Sequence, residues 1–208
     1  MLNYYLISFL SGAASSFSLP PYNLIVINFL TFPILLFILI NIKEKNNSSW
    51  LNFKIGWFFG LGYFISNIYW IVYSLTFEDI FKPLIPFALI LIPSFLAIFY
   101  GIATLITSKF SLKKNLSSIL IFSLSFGLIE FFRGFILGGF PWNLIAYSWI
   151  NYLNSLQILS LIGTYSFNLL TITIFTLPLL IFYKKNIKSK IFSIIFILLI
   201  LSFNYLYC

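Results

Sequence analysis

Apolar residues run along this chain in long, nearly unbroken blocks, and the polar residues gather between them. Seven such blocks stand out, at roughly 3–18, 22–42, 53–75, 84–107, 117–138, 157–183 and 190–206. Most are long enough for a helix that crosses ~30 Å of hydrocarbon, which takes ~20 residues. The blocks are continuously apolar and do not alternate, so they predict helices and exclude an outer-membrane barrel. The first block is the shortest. Gly12, Ser15 and Ser16 interrupt its end, and Pro20 and Pro21 preset a turn into the second block. The opening stretch lacks a basic start and a clear small-x-small cleavage site, so it reads as a retained span and not as a signal peptide. The pattern predicts an all-α polytopic membrane protein of about seven transmembrane helices, forming one domain over residues 1–208. No internal repeat or linker divides it.

Composition sharpens this picture. The chain is 61% hydrophobic and 8% charged, about a third of the charge that a soluble domain needs on its surface. A water-soluble domain is excluded. The net charge of +8 would suggest nucleic acid in a soluble protein. Here ten of the twelve Lys and Arg residues lie in alternate loops: Lys43, Lys45 and Lys54; Lys109, Lys113 and Lys114; Lys184, Lys185, Lys188 and Lys190. Only Lys82 and Arg133 lie on the other side. The bias places the lysine-rich loops and the N-terminus in the cytoplasm and the C-terminus outside. No nucleic-acid partner is expected. The chain has no His and a single Cys, Cys208, which excludes a Cys/His metal site and a His-dependent triad. No metal and no cofactor are expected.

The unusual residues gather at the outer side. Glu130 and Arg133 stand at i, i+3 spacing near the end of the fifth block, on one helix face. Two roles fit: a helix-end pair that locks the bundle, or a site where Arg133 receives a phosphate or carboxylate head group. Gly134 and Gly138 form a small-xxx-small pair suited to close helix packing. Gly139 frees the backbone, and Pro141 stops the helix. Trp142, Tyr147, Trp149 and Tyr152 follow among small polar residues. Residues 139–156 therefore read as an interfacial or re-entrant segment, either a simple aromatic anchor or the wall of a cavity open to lipid. Tyr69, Trp70 and Tyr73, at the end of the third block, are either an aromatic belt or a second wall of the same cavity. The lipid or substrate mouth is thus expected at Glu130, Arg133, Pro141, Trp142, Tyr147, Trp149, Tyr69 and Trp70. Packing or turn roles are expected at Pro20, Pro21, Gly134, Gly138 and Gly139. "GWFFGLG", Gly56 to Gly62, contains a GxxxG that reads as packing.

These residues resemble a known family. "SFSLPPYNL" at Ser16 to Leu24, "GLGYFISNIYWIVYSL" at Gly60 to Leu75, "EFFRGFILGGFPWNLIAYS" at Glu130 to Ser148 and "LIGTYSFNLL" at Leu161 to Leu170 follow the membrane half of apolipoprotein N-acyltransferase. The resemblance implies residence in the bacterial inner membrane. It also implies transfer of an acyl chain from a phospholipid to the diacylglyceryl-modified N-terminal cysteine of lipoproteins. In that family a Glu-Lys-Cys set performs the chemistry through a thioester, in an extracytoplasmic nitrilase-like domain placed after the seventh span. These 208 residues hold no counterpart of that set. Cys208 ends an apolar block with no Lys or Glu beside it, so no catalytic residue is assigned. The expected partners are membrane phospholipid, lipoprotein substrate and a separate nitrilase-like subunit, and the chain alone is expected to be inactive. The alternative is a non-enzymatic lipid-binding or scaffold protein derived from that family. A small transporter fits worst, because spans one to four and six have no charged residue in their interiors.

Overall fold

The computed structural model describes residues 2–45, 48–136, 139–183, 190–191 and 194–195. Among them every regular element is helical. The α-helices are α1 (Leu2–Ser16), α2 (Asn28–Lys45), α3 (Ser49–Asn67), α4 (Ile85–Lys109), α5 (Leu116–Arg133), α6 (Leu153–Leu156), α7 (Leu159–Thr176) and α8 (Leu179–Tyr183). Among the described residues, four stretches are long and apolar enough to cross a membrane: Ile25–Glu44, Asp79–Lys109, Leu116–Arg133 and Leu159–Phe182. A fifth arises if α3 and the 3-10 helix Tyr69–Thr76, bent by 50° at a short break, count as one span. The chain is an all-α polytopic membrane protein.

The count of seven spans is not reproduced. Helix α1 has 15 residues, or about 22 Å at 1.5 Å per residue, which is short of the hydrocarbon thickness. Most of the seventh block, Cys208 and the lysines at 184, 185 and 188 lie outside the described residues. The third block also behaves differently from a single helix. Ile68 leaves the helical region at φ −108°, ψ 14°, and the following Tyr-Trp-Ile-Val-Tyr run is made of aromatic and β-branched residues with weak helix preference. The sixth block is broken too: Gly163 sits at φ 76° inside α7, and Pro178 separates α7 from α8.

Close approach of backbones builds the bundle. Helix α3 is sandwiched between α1 and α4. On one face, a Cβ at Gly12 would collide with the Phe59 carbonyl, and one at Gly62 with the Phe9 carbonyl. On the other, Gly56 and Gly60 lie against Thr104 and Tyr100 of α4, so the GxxxG of the sequence is a packing device. Phe32 of α2 fills the centre, with ring contacts to Phe59, Phe122, Phe126 and Phe175 at 5.6–6.4 Å.

Polar pins fix the two ends. At one, Lys43 Nζ donates to the Ser108 carbonyl, Lys109 Nζ donates to Ser49 Oγ at 3.4 Å, and Lys114 lies 3.4 Å from Glu44. The described lysine-bearing loops, apart from the segment with Lys82, thus gather at a single end. At the other end Asn28 is buried, accepting from Ser15 Oγ at 2.6 Å and donating to Ser18 Oγ at 2.8 Å. This ties the end of α1 to the start of α2 and shapes the Pro20–Pro21 turn, whose peptide bond is cis.

Candidate functional site

Helix α5 ends by delivering two charges into the protein interior. Glu130 is 2% exposed and Arg133 1%. Arg133 Nε donates to Glu130 Oε2 at 3.0 Å, and Nη2 donates to the same oxygen. Nη1 donates to the carbonyls of Phe140 at 2.7 Å and of Trp142 at 3.0 Å. The planar guanidinium lies 5.4 Å from the Phe64 ring centroid and 5.8 Å from that of Phe140. A charge in hydrocarbon costs at least ~2.5–3.5 kcal/mol, and here opposite charge, two backbone acceptors and two aromatic faces offset that cost. Arg133 is thus almost fully buried, with its donors directed to Glu130 and to the loop carbonyls of Phe140 and Trp142.

That loop turns sharply. Gly134 caps α5, and Gly139 takes φ 78° while the Phe140 amide returns to the Arg133 carbonyl at 3.0 Å. A side chain at Gly139 would be strained by that φ and would press on the Gly134 carbonyl. Gly134 is needed for space: a Cβ there would collide with the Tyr165 hydroxyl of α7. Gly138 lies outside the described residues. Beyond Trp142, Asn143 has φ 58°, and its carbonyl accepts from the Tyr63 hydroxyl at 2.9 Å. The segment then folds back as a 3-10 helix, Ile145–Trp149, whose Ala146 amide donates to Asn168 Oδ1 of α7 at 2.9 Å.

A cavity of about 640 Å³ opens beside this loop. Its walls are the Pro20–Pro21 turn, the bend at Ser66–Trp70, and Trp142, Asn143 and Tyr147. Trp70 meets Trp142 edge-on with centroids 6.3 Å apart. Tyr69, Trp70, Trp142 and Tyr147 are 40–57% exposed, so their rings form an open rim. Burial raises the Tyr147 phenol above its ordinary value, which keeps it a neutral hydroxyl. The structure thus brings Tyr69, Trp70, Trp142 and Tyr147 together and adds Pro20 and Pro21, expected only as a turn. It sets two others apart. Pro141 is exposed but does not line the cavity, and Trp149 is 7% exposed, stacked on Phe175 at 5.9 Å in the core.

Several residues of the site carried no earlier assignment. Tyr63, Phe64 and Asn168 hold the loop from beneath. Asn168 had a readable signal, since a lone amide in an apolar span needs a partner. Tyr100 is buried beside Glu130 and interacts with it. The described lining residues offer hydroxyls from Ser16, Tyr22, Ser66, Tyr69 and Tyr147, amides from Asn67 and Asn143, and the indole N–H groups of Trp70 and Trp142.

The apolipoprotein N-acyltransferase N-terminal domain family matches residues 11–177. An apolipoprotein N-acyltransferase of Brucella melitensis biotype 1 is 35% identical over 182 residues, covering 85% of this chain and 34% of that protein. One of Rhodopseudomonas palustris is 35% identical over 178 residues, covering 83% and 32%, and one of Rhizobium rhizogenes is 31% identical over 182, covering 85% and 34%. The chain spans about a third of the length of these curated relatives. The matched region runs from α1 through the end of α7 and includes the Arg133 clamp and every wall of the cavity, so the chain belongs to the apolipoprotein N-acyltransferase family, in its N-terminal membrane domain.

Proposed function

We propose that this chain is the membrane half of an apolipoprotein N-acyltransferase of the bacterial inner membrane. Its cavity receives the acyl chains of a phospholipid donor and of a diacylglyceryl-cysteine acceptor at the extracytoplasmic surface. The observation that carries this reading is the aromatic-rimmed cavity of about 640 Å³, which lies within the region matched to the family. Its size lies in the range of small-molecule sites, and its rings suit the head-group layer. Arg133 positions the rim by holding the backbone at Phe140 and Trp142.

The reaction proceeds in two displacements. A thiolate attacks the phospholipid ester, a thioester forms and lysophospholipid leaves. The α-amine of the acceptor then attacks the thioester, an amide forms and the thiol is released. Both steps need a nucleophile, a base and oxyanion donors. A nitrilase-like part, supplied separately or encoded alongside, would carry them above the rim. A second reading, a lipid-binding scaffold without catalysis, rests on the same aromatic-rimmed cavity.

One experiment separates them. The 208-residue chain is incubated with phospholipid and a diacylated lipopeptide, with and without the nitrilase-like domain of a relative, and N-acylated peptide is measured by mass. The chain alone is expected to yield none, and the mixture is expected to yield product. Product from the chain alone that survives Cys208→Ser would overturn the division of labour, whereas lipid binding with no product in the mixture would leave the scaffold. A nitrilase-like reading frame directly downstream would favour the enzyme independently.

A further inference from the structure

A different cavity, of about 550 Å³, faces outward near the lysine-bearing end of the bundle. It is built on Trp50, Phe53, Lys54, Trp57 and Phe58, which stand at i, i+3, i+4, i+7 and i+8 along α3. That spacing defines one helix face. In a buried amphipathic helix such a face meets the core. Here Leu51, Ile55, Phe59 and the glycines already fill the faces toward α1 and α4, so the aromatic face is left open between Tyr5 of α1 and Ile98 of α4.

The walls are ordered. Trp50 and Phe53 stack with centroids 5.2 Å apart and planes 4° from parallel, and Tyr5 packs on Phe58 at 5.0 Å. The Trp57 indole N–H donates to the Ser94 carbonyl at 3.0 Å, which fixes its ring. Lys54 Nζ sits 5.3 Å from the Trp50 centroid. Among the described residues its charge meets no carboxylate. Glu44 pairs with Lys114, Asp79 with Lys82 and Glu130 with Arg133, while Glu78 belongs to the loop at the far end. The lysine end also carries Lys43, Lys109, Lys113 and Lys114 against Glu44 alone.

We propose that this groove binds one anionic phospholipid of the leaflet at the lysine end. One acyl chain lies along the rings of α3, and the phosphodiester rests on the Lys54 ammonium. Charge complementarity chooses the occupant. An open ammonium above an apolar, ring-walled groove matches a lipid whose head group keeps a net negative charge, whereas a zwitterionic lipid brings its own cation to compete. The site is separate from the aromatic-rimmed cavity and holds whether or not the chain takes part in acyl transfer.

The test is native mass spectrometry of the full 208-residue chain in mild detergent, offered equal amounts of phosphatidylglycerol and phosphatidylcholine with identical acyl chains. The wild-type chain is expected to retain phosphatidylglycerol about fivefold over phosphatidylcholine, which is the worth of one lysine beside an anionic surface. Lys54→Gln is expected to abolish that preference, Lys54→Arg to keep it, and Lys82→Gln, at the other end, to leave it unchanged. Phe58→Ala is expected to lower retention of both lipids without altering their ratio. Equal retention of the two lipids by the wild-type chain, or an unchanged ratio in Lys54→Gln, would overturn the proposal. So would displacement of the bound lipid by glycerophosphoglycerol, which has the head group and no acyl chains.

Discussion

Arg133 divides its donors between a side chain and a loop, and the two halves fail differently. Glu130→Gln leaves a buried guanidinium without its counter-charge, a change that costs ~3–5 kcal/mol when one partner of a buried pair is lost. The expected result is a large drop in resistance to thermal or detergent unfolding. Arg133→Lys keeps the positive charge but loses the planar fork, so it is expected to keep most of the stability while freeing residues 139–143, read as faster amide exchange there. Exchanging the two residues is expected to restore stability in part and to leave the loop free, because an arginine at 130 sits one turn farther from the Phe140 and Trp142 carbonyls. Two glycines offer a matched comparison. Gly139 and Gly163 have nearly the same positive φ, 78° and 76°, but only Gly139 has an atom in the way of a Cβ. Gly163→Ala is expected to cost ~1–3 kcal/mol, because φ 76° with ψ 165° is a region essentially kept to glycine, and Gly139→Ala clearly more, in the same unfolding measurement. The pair itself was legible from its i, i+3 spacing. What it holds was not, because a backbone carbonyl has no letter in the sequence.

Among the elements, α3 carries the most. Its two glycine-bearing faces let α1 and α4 approach closely, and its third face is left for lipid. Gly60→Val places branched carbons against Tyr100 and Ala97, the nearest neighbours of that position. Overpacking of this kind costs ~1–3 kcal/mol, and the expected signature is a loosened α3–α4 contact, seen as slower disulfide trapping between cysteines placed on the two helices. The GxxxG could be read directly because small residues four apart have one dominant use in apolar helices. The bend after Asn67 could not, since hydropathy stays high through Thr76 and reports burial in lipid whether or not the axis turns. The same limit explains Trp142 and Trp149. Both lie in an irregular segment with no fixed period, so sequence spacing gave no means of sending one to the rim and the other to the core.

For the whole molecule, the two ends differ in chemistry. Lysine loops gather at one, and aromatic turns gather at the other. With Cys208 first replaced by Ser, cysteines at Ser48 and Asn154 are expected to be labelled by an impermeant reagent from opposite sides of the membrane, with Ser48 on the cytoplasmic side. Labelling of both from one side would refute the orientation. The clamp between these ends and the rim has a consequence for how such proteins diversify. Arg133 grips Phe140 and Trp142 by their carbonyls, which are the same for every amino acid. The grip is therefore indifferent to which side chains the loop presents. On the proposed function, substitution at Trp142 or Tyr147 is expected to change what the rim admits while the grip on the loop backbone beneath it is kept, so that lipid preference and architecture can vary separately.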